Sequence, residues 1–449
     1  MRIDDIKRMP RIGIYGAGKS NRALLSLLSK RGVKHEFTYR SDDCTKVTDI
    51  KPSRSFIGKS ALCDIDEDIL FLSPSVRRDR PELLAASKRG VILSSDCEIF
   101  FDESKQRKFA VSGSDGKSSC TYLIASMLTA ASMRAIPCGN FGVPLLSVID
   151  EDAIAVAELS SFQLMNIAPT TEAALLTNIT PNHLNWHKNL DEYISAKLSI
   201  FKNAKRRIID ADCPYLKEAA SGMDIFACVS TKMNFRELKN HIKSEHYLTV
   251  NNDKILLDSK QYFTFKSAKR KEWYNIKNYA LASAAVIDEV AGGYIERAIE
   301  SFSGLAHRCE EVMRVGSVSY INSSIDSTPA RTLATLKSLT DRRISVIICG
   351  KGKGLSAKEL ASALPSLTVG AVLMGEVGHE IYEYLSSASP SYKFAIAKDM
   401  TDAVSLAEDM IGKDGCVLLS PAATSFDAYK NFEERGDDFK RIVRLKNTR

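Results

Sequence analysis

The sequence predicts an α/β protein of three successive domains, each built on a sheet of mainly parallel strands. Two short apolar runs, at 11–16 and 109–112, each lead into a glycine-rich turn and then a helical pattern, which is the repeating unit of such sheets. Later apolar runs alternate with helical stretches near 317–322, 344–349, 370–374, 393–396 and 415–420. We therefore predict a Rossmann-like domain at 1–105, a central phosphate-loop α/β domain at 106–304 and a doubly wound α/β domain at 305–449.

Composition and charge exclude several classes of protein. At 449 residues the chain is too long for one hydrophobic core, and its 44% hydrophobic and 26% charged residues are those of an ordinary globular protein. The net charge of +7 is spread along the chain and suits an anionic ligand such as a nucleotide. Its densest basic stretches, 105–108 and 266–271, lack interleaved aromatic residues, so we interpret them as solvated linkers and expect no nucleic-acid partner.

The cysteines and the apolar runs indicate where the protein works. Ten cysteines are scattered singly, with no C-x-x-C spacing, which is typical of reduced thiols. The N-terminal residues have no apolar signal core, and no apolar run approaches the ~20 residues of a membrane span. We expect a cytoplasmic protein that does not enter a membrane.

The first glycine turn reads Gly16-Ala17-Gly18-Lys19-Ser20-Asn21. This is the dinucleotide-binding fingerprint with asparagine in place of its third glycine. No acidic residue clearly ends the second strand, around Tyr39, to bind a ribose diol. We expect the loop to hold a diphosphate; an NAD-dependent dehydrogenase is the weaker alternative.

The second glycine turn is Gly113-Ser114-Asp115-Gly116-Lys117-Ser118-Ser119, after the apolar run Phe109–Val111. Backbone N–H groups of such a turn and the positive end of the following helix dipole bind phosphate. Lys117 would reach the outer phosphates of a triphosphate, and the hydroxyl of Ser118 would bind a magnesium ion. The longer loop pattern has glycine where this chain has Val111, so a tight turn with a surface lysine is the alternative.

A carboxylate, two histidines and a lysine follow this loop. Glu158 ends an apolar strand, where it would complete a magnesium site with Ser118, or else cap a helix or form a salt bridge. His183 and His187 have the spacing of a zinc pair but no evident third ligand, so one of them would serve magnesium or substrate instead. Lys197 lies at the edge of an apolar helical stripe. If it is desolvated, its neutral amine can react with carbon dioxide to form a carbamate; the pattern alone favours an ammonium that reaches solvent.

Several separated stretches together resemble one family, the ATP-dependent muramyl ligases of peptidoglycan synthesis. The matching stretches run from the phosphate loop to near the C-terminus: Gly113-Ser-Asp-Gly-Lys-Ser, Glu158-Leu-Ser-Ser-Phe-Gln-Leu, Asn178-Ile-Thr-Pro-Asn-His, Ala196-Lys197, Gly304-Leu-Ala-His-Arg, Leu419-Ser-Pro-Ala-Ala-Thr-Ser-Phe-Asp and Lys430-Asn-Phe-Glu-Glu-Arg-Gly. The resemblance implies a UDP-binding first domain, an ATP-binding second domain and an amino-acid-binding third domain. It also implies a carboxylate activated by ATP as an acyl phosphate and then attacked by an amine.

The resemblance also assigns roles to residues. It implies ATP, UDP-N-acetylmuramoyl-L-alanine and D-glutamate as ligands of a monomer, with Lys117, Glu158, His183 and Lys197 at the centre of the chemistry. The other assignments follow by ligand: ATP at Gly113, Ser114, Asp115, Gly116, Lys117, Ser118, Ser119, Asn275, Asn278 and Arg308; the UDP-sugar at Gly18, Lys19, Ser20, Asn140, Ser160 and Gln163; D-glutamate at Ser327, Lys353, Ser425 and Phe432; two magnesium ions at Ser118, Glu158, His183 and carbamylated Lys197.

The chain departs from the family most clearly at 320–328. Ser323 and Ile325 stand where members commonly have Asp and Lys, so either Asp326 serves from a shifted position or this contact is weaker. Asp115 and Asn185 are milder departures, from Asn and Asp respectively. Two alternatives follow: a related ligase with another substrate, such as a folylpolyglutamate-type or amidating enzyme, and a nucleotide-binding regulator without turnover.

Overall fold

A computed structural model describes residues 2–33, 37–42, 52–184, 186–339, 341–352 and 355–447. The chain divides into two compact units, Met1–Phe302 and Ser303–Arg449. Over the described residues, the first unit contains a five-stranded and a nine-stranded sheet, and the second contains a six-stranded sheet. The predicted α/β class is confirmed, whereas the domain limits at 105 and 304 stay a prediction. Lys353 and Asn185 lie outside the described residues.

The first sheet is wholly parallel. Its elements are α1 (Ile3–Ile6), β1 (Ile12–Tyr15), α2 (Lys19–Lys30), β2 (Phe37–Ser41), β3 (Arg54–Ile57), a 3-10 helix (Gly58–Ser60), β4 (Ile69–Leu72), α3 (Pro81–Lys88), β5 (Ile92–Ser94) and α4 (Asp96–Glu103). The strand order is β3-β2-β1-β4-β5, and all residues of β1 and β4 are buried, as apolar strands covered on both faces require. The order reverses between β1 and β4, so the turn at Gly16 opens into the crevice where ligands bind in such sheets.

The nine-stranded sheet positions the phosphate loop. Its elements are β6 (Lys108–Ser112), α5 (Lys117–Ala130), β7 (Ala135–Gly139), a 3-10 helix (Leu145–Val148), β8 (Ile154–Glu158), α6 (Ser161–Leu164), β9 (Thr170–Leu176), α7 (Leu190–Leu198), a 3-10 helix (Ser199–Phe201), β10 (Asn203–Asp210), α8 (Pro214–Ala220), β11 (Ile225–Ser230), α9 (Phe235–His241), β12 (Ser244–Asn251), β13 (Lys254–Leu257), β14 (Lys260–Thr264), α10 (Trp273–Ala284) and α11 (Gly292–Ser301). β6 pairs in parallel with β8 and β9, so three strands whose C-terminal residues are buried end beside the loop. β12 pairs with β13, and β13 with β14, in antiparallel hairpins at one edge of the sheet.

One hydrophobic core extends from the first sheet into the nine-stranded sheet. It joins Phe71 of β4 and Phe100 of α4 to Leu145 and Leu146 of a 3-10 helix and to Ala157 of β8. The two sheets are therefore held together by apolar burial. No helix in the described ranges is both long and apolar enough to cross a bilayer.

The second unit is a doubly wound sheet, as predicted. Its elements are β15 (Glu310–Val315), β16 (Ser317–Asn322), α12 (Pro329–Ser338), β17 (Ile344–Cys349), α13 (Lys358–Leu367), β18 (Gly370–Met374), α14 (Gly375–Ala388), β19 (Phe394–Ile396), α15 (Met400–Ile411), β20 (Asp414–Ala422) and α16 (Phe432–Asn447). The strand order is β15-β16-β20-β17-β18-β19, and β15 alone of these is antiparallel to its neighbour. The apolar pattern does not predict β15, because this edge strand is only partly buried and carries charged residues.

Candidate active site

The loop between β6 and α5 has the predicted strand, loop and helix form. Gly113 and Gly116 have φ of 143° and 78°, values that L side chains rarely adopt. A Cβ at Gly113 would overlap Thr177 Oγ1, and one at Gly116 would lie 2.5 Å from Asn278 Oδ1. Glycine is therefore required by backbone conformation and by the close approach of β9 and α10.

Side chains from 178–193 hold this loop in place. The Ser114 hydroxyl lies 2.7 Å from the Tyr193 hydroxyl and donates to Thr180 O over 3.0 Å. The Asp115 N–H donates to Asn178 Oδ1 over 2.9 Å. Since these groups already have protein partners, the amides at the start of α5, which have no intrahelical acceptor, are better placed to receive phosphate.

Lys117, Ser118 and Ser119 form the first turn of α5. Lys117 Nζ donates to Ser114 O over 2.8 Å, which folds the side chain back over the loop. Ser118 and Ser119 are buried. This is not the surface lysine of the alternative interpretation, since the cation lies on the loop itself.

Lys197 of α7 reaches the same loop. Its Nζ donates to Gly113 O over 2.7 Å, and the residue is 2% exposed. Burial, followed by the charge of Lys117, holds the pKa of Lys197 well below its usual value, against the opposing charges of Asp115 and Glu158. The expectation that its ammonium reaches solvent is therefore wrong, because the neighbouring loop covers this end of the helical stripe.

Glu158 ends β8 one strand away from the loop. Its Oε1 accepts a hydrogen bond from Asn140 Nδ2 over 2.7 Å, while Oε2 is buried and receives none from the residues described. Ser160, and not Glu158, caps α6. A carboxylate oxygen left in this way needs a donor or a cation, because burying it without a partner is unfavourable. A hard oxygen donor suits magnesium, so Glu158 fits the metal role predicted for it.

The two histidines occupy different environments. His183 is exposed, has φ of 56° and packs edge-on against Phe162 with ring centroids 5.0 Å apart. His187 is buried, with Nε2 3.0 Å from the Ser161 hydroxyl and Nδ1 3.4 Å from Glu192 Oε2. No group of three or more His, Cys, Asp or Glu residues that could hold a metal ion occurs in the described part of the chain. Metal binding by His183 stays a prediction.

The polar residues assigned to ATP and to the UDP-sugar in this unit also have protein partners. Asn275 and Asn278 lie on α10, the helix that packs along α5. Cys120 Sγ donates to Asn278 Oδ1 over 3.5 Å, and Asn275 Nδ2 donates to Glu272 over 2.9 Å. Ser160 and Gln163 form the capping box of α6, and Gln163 Nε2 also lies 3.2 Å from Cys97 Sγ. Their ligand roles stay predictions.

In the first glycine turn, Asn21 has a structural role that accounts for its place at the third glycine position. Asn21 Nδ2 donates to Tyr15 O and Gly16 O over 2.9 and 2.8 Å, so the asparagine side chain closes the turn. Gly18 is the N-cap of α2 and has no atom within 4 Å of a Cβ built on it. This space, next to Lys19 and Ser20 in the first turn of α2, can admit a diphosphate.

In the second unit, the described residues assigned to D-glutamate are Ser327, which follows β16, and Ser425 and Phe432, which follow β20. The Ser324 hydroxyl donates to Phe432 O over 2.8 Å, which joins the 322–328 loop to the start of α16. Ser425 is buried, and Ser327 is half-buried. Arg308 is also half-buried. Its backbone N–H donates to the carbonyl oxygen of Leu305 over 3.2 Å.

The structure favours one explanation of the altered 322–328 loop. Asp326 is buried, and its Oδ2 accepts hydrogen bonds from the hydroxyls of Ser420 and Thr335 over 2.9 and 2.8 Å. A carboxylate engaged in this way supports its own loop. The alternative in which Asp326 contacts a ligand from a shifted position is therefore the weaker one.

Two further residues support the phosphate loop that were not predicted from the sequence to do so. Thr177 donates to Asp115 O over 2.5 Å, and Tyr193 bonds to Ser114. Tyr193 precedes Lys197 by four residues on α7, which was a usable signal because residues at this spacing share a helix face. No sequence pattern identified Thr177.

Comparison with known proteins places this site in a family. Residues 111–286 match the Mur ligase middle domain. The chain is 34% identical to the UDP-N-acetylmuramoylalanine–D-glutamate ligases of Clostridium botulinum and of Ruminiclostridium cellulolyticum, over 98% of this chain and 97% of each relative. Among solved structures, the fold resembles UDP-N-acetylmuramate-alanine ligase from Thermotoga maritima, with a TM-score of 0.60 and 18% identity over 98% of this chain and 100% of that one. It also resembles a pseudomurein peptide ligase type C from Methanothermus fervidus, with a TM-score of 0.58 and 16% identity over the same shares.

Proposed function

The chain belongs to the Mur ligase family, and from this we propose that it joins D-glutamate to UDP-N-acetylmuramoyl-L-alanine with cleavage of ATP. The choice of substrates rests on relatives of that name that match the chain over nearly its full length. The chemistry rests on one observation above all: Oε2 of Glu158, in the strand next to the phosphate loop, is buried and has no hydrogen-bond partner among the residues that the structure describes. A protein keeps such an oxygen where a ligand completes it.

The proposed reaction has two steps. The terminal carboxylate of the acceptor attacks the γ-phosphorus of ATP, which forms an acyl phosphate and releases ADP. The amine of D-glutamate then attacks the acyl carbon, and inorganic phosphate leaves as the amide forms. A free carboxylate is a poor electrophile, so the protein supplies position and charge: Lys117, with Arg308 as a second cation, would stabilise the transferring phosphoryl group.

Ser118, Glu158, His183 and a modified Lys197 would hold two magnesium ions. When bound, magnesium neutralises phosphate charge and orients the oxygens of ATP. For Lys197, the neutral amine would attack carbon dioxide, form an N–C bond and release a proton to solvent. Its burial and low pKa support this modification, because only the free base reacts. The carbamate would replace a disfavoured cation with an anion suited to metal.

The remaining assignments complete the proposal. Gly113–Ser119, Asn275 and Asn278 would contact ATP, while Gly18–Ser20, Asn140, Ser160 and Gln163 would contact the UDP-sugar. Ser327, Lys353, Ser425 and Phe432 would contact D-glutamate. We further propose that the protein acts as a cytoplasmic monomer.

A nucleotide-binding regulator is the second candidate, favoured by the burial of Asp326 on hydroxyl groups. That arrangement leaves no carboxylate from 322–328 obviously available to a ligand among the described side chains. The regulator predicts ATP binding without turnover.

A phosphate-release assay tests both candidates. We expect release only when ATP, UDP-N-acetylmuramoyl-L-alanine and D-glutamate are all present. The panel includes L-glutamate, glycine and a folate acceptor, each with the other substrates held constant. Release with another pair instead would identify a related ligase, and ATP binding without substrate-dependent release would identify the regulator.

A further inference from the structure

Helix α7 makes polar contacts in two directions. Toward the phosphate loop, Tyr193 bonds to Ser114 over 2.7 Å and Lys197 donates to Gly113 O over 2.7 Å. On the other side, Glu192, next to Tyr193, accepts hydrogen bonds from Arg77, which follows β4 of the first sheet. A nine-residue helix therefore connects the two sheets of this unit through side chains only one to five residues apart.

Arg77 forms a clamp with fixed geometry. Its Nη1 and Nη2 donate to the two carboxylate oxygens of Glu192 over 2.8 and 2.9 Å, and Nη1 also donates to Trp186 O over 2.8 Å. Nε and Nη2 donate to both oxygens of Asp79 over 2.8 Å. The side chains of Arg77 and Glu192 are 18% and 19% exposed, so this pair is much less screened than a surface pair. Paired N–H···O bonds from a planar fork fix orientation as well as distance.

The segment leading to Arg77 also forms a wall of the first glycine turn. The Ser73 hydroxyl donates to Tyr15 O over 2.9 Å. A Cβ built on Gly16 would lie 2.6 Å from the same Ser73 Oγ. Two residues later, Ser75 O accepts from Trp186 Nε1 over 2.7 Å. The stretch 73–77 is thus fixed at one end to the proposed UDP loop and at the other to the segment that begins α7.

We propose that Arg77 is a positioning residue that couples occupancy of the UDP loop to the phosphate loop through Glu192 and α7. This inference rests on the proposed function, since it assumes that the two loops bind the UDP-sugar and ATP. Ligand at the Gly16–Ser20 turn reinforces the contact that Ser73 makes with this turn. The Arg77 fork passes this constraint to α7, which presents Tyr193 and Lys197 to the phosphate loop. Coupling of this kind is a free energy shared by both ligands, so each must tighten the other by the same factor.

The test compares Arg77→Met with Arg78→Met. Both variants remove one guanidinium and keep an apolar stem, but Arg78 bonds to Glu98 and to Leu93 O, inside the first sheet and its helices. Arg77→Lys retains charge without the fork. Titration calorimetry would give the Kd of a non-hydrolysable ATP analogue with and without saturating UDP-N-acetylmuramoyl-L-alanine, and the ratio of these values measures coupling.

We expect the acceptor to tighten the analogue roughly 5- to 100-fold in the natural protein and in Arg78→Met. In Arg77→Met and Arg77→Lys the ratio should fall to about 1–3, while each ligand alone binds within about threefold of the natural protein. KM for ATP at saturating acceptor should rise in these two variants with a smaller change in kcat. Thermal unfolding of each variant would show that it is folded at the assay temperature.

Three results would overturn the inference: an unchanged ratio in Arg77→Met, equal weakening of both ligands with the ratio preserved, or a ratio of 1 in the natural protein. Failure of the proposed function is seen separately, before any variant is made. In that case the natural protein would bind neither ligand, or would bind both and release no phosphate with D-glutamate.

Discussion

Buried charged side chains differ in how fully protein groups satisfy them around the phosphate loop and in the second unit. Near the loop, Lys197 has a low pKa because of burial and the nearby Lys117, and Glu158 Oε2 has no hydrogen-bond donor among described residues. In the second unit, Arg435 is 1% exposed and donates to Ser324 Oγ, Ser324 O, Ala423 O and Cys349 O over 2.9–3.3 Å. Burial alone therefore does not distinguish a ligand site from a structural one.

The difference lies in whether the fold itself completes the polar group. Arg435 ties the 322–328 loop, β17 and the segment after β20 to α16, so its bonds stabilise the unit. Glu158 and Lys197 carry an electrostatic cost that the protein alone does not offset, which is a recurrent property of functional sites. Substitutions should consequently change activity in the first region and stability in the second.

The largest expected effect is the loss of activity in Glu158→Gln. Glutamine can still accept the Asn140 hydrogen bond but loses the negative charge. We expect substrate-dependent phosphate release to fall roughly 10²- to 10³-fold, as when one group that stabilises transition-state charge is removed. The unfolding temperature should stay the same or rise.

Glu172→Gln is the matched control, since Glu172 lies on β9 of the same sheet and pairs with Lys205 over 2.9 Å at 30% exposure. Its activity should remain within about twofold of the natural protein, because an exposed pair contributes little. If Glu158→Gln kept full activity, the proposed metal role of Glu158 would have to be withdrawn.

The second effect is on stability, in Arg435→Met. This change leaves buried carbonyl oxygens without donors, so we expect the free energy of unfolding of the second unit to fall by about 3 kcal/mol. Denaturant unfolding of the full chain would measure it. Arg441→Met on the same helix, where the arginine is 60% exposed, should change stability by less than ~1 kcal/mol. Equal effects of the two variants would contradict a structural role for Arg435.

A smaller effect concerns pH. Because the pKa of Lys197 is lower in the folded than in the unfolded protein, the unfolded chain binds more protons below the ordinary lysine pKa of 10.5. Stability should therefore rise as pH increases toward 10.5, and part of that rise should disappear in Lys197→Met. Thermal unfolding between about pH 7.5 and 9.5, without ligands and in buffer purged of carbon dioxide, would measure the slope. An identical slope in both proteins would show that Lys197 is not held as the free base.

The smallest effect is expected for Lys188→Met. Lys188 pairs with Asp79 over 2.7 Å, but its side chain is 65% exposed. Stability should change by less than ~1 kcal/mol, with activity within about twofold. A large loss in either measurement would show that the Asp79 side of the clamp matters beyond the Arg77 fork.

Sequence patterns predicted much of the fold because they report local geometry. The strand, loop and helix that begin at 109 and the strands at 317–322, 344–349 and 370–374 all appear in the structure. The partly buried, charged strand β15 was missed because its apolar pattern is weak. The site was predicted as a set of residues, but their roles as ligands or supports could not be separated.

The sequence by itself determined the glycines of the two turns, the apolar strands that precede them, the place of Lys117 after the second turn, that of Glu158 at the end of another apolar strand and that of Lys197 on a helical stripe. Backbone conformation and periodicity depend on near neighbours, which is why the sequence suffices for these features. Only the tertiary structure decided that Lys197 is buried on Gly113 O, that one oxygen of Glu158 receives no hydrogen bond from the described part of the chain and that Arg77 reaches Glu192. These outcomes depend on which distant groups arrive around each charge, and desolvation by such groups sets the energy of a charge more than its place in the chain does.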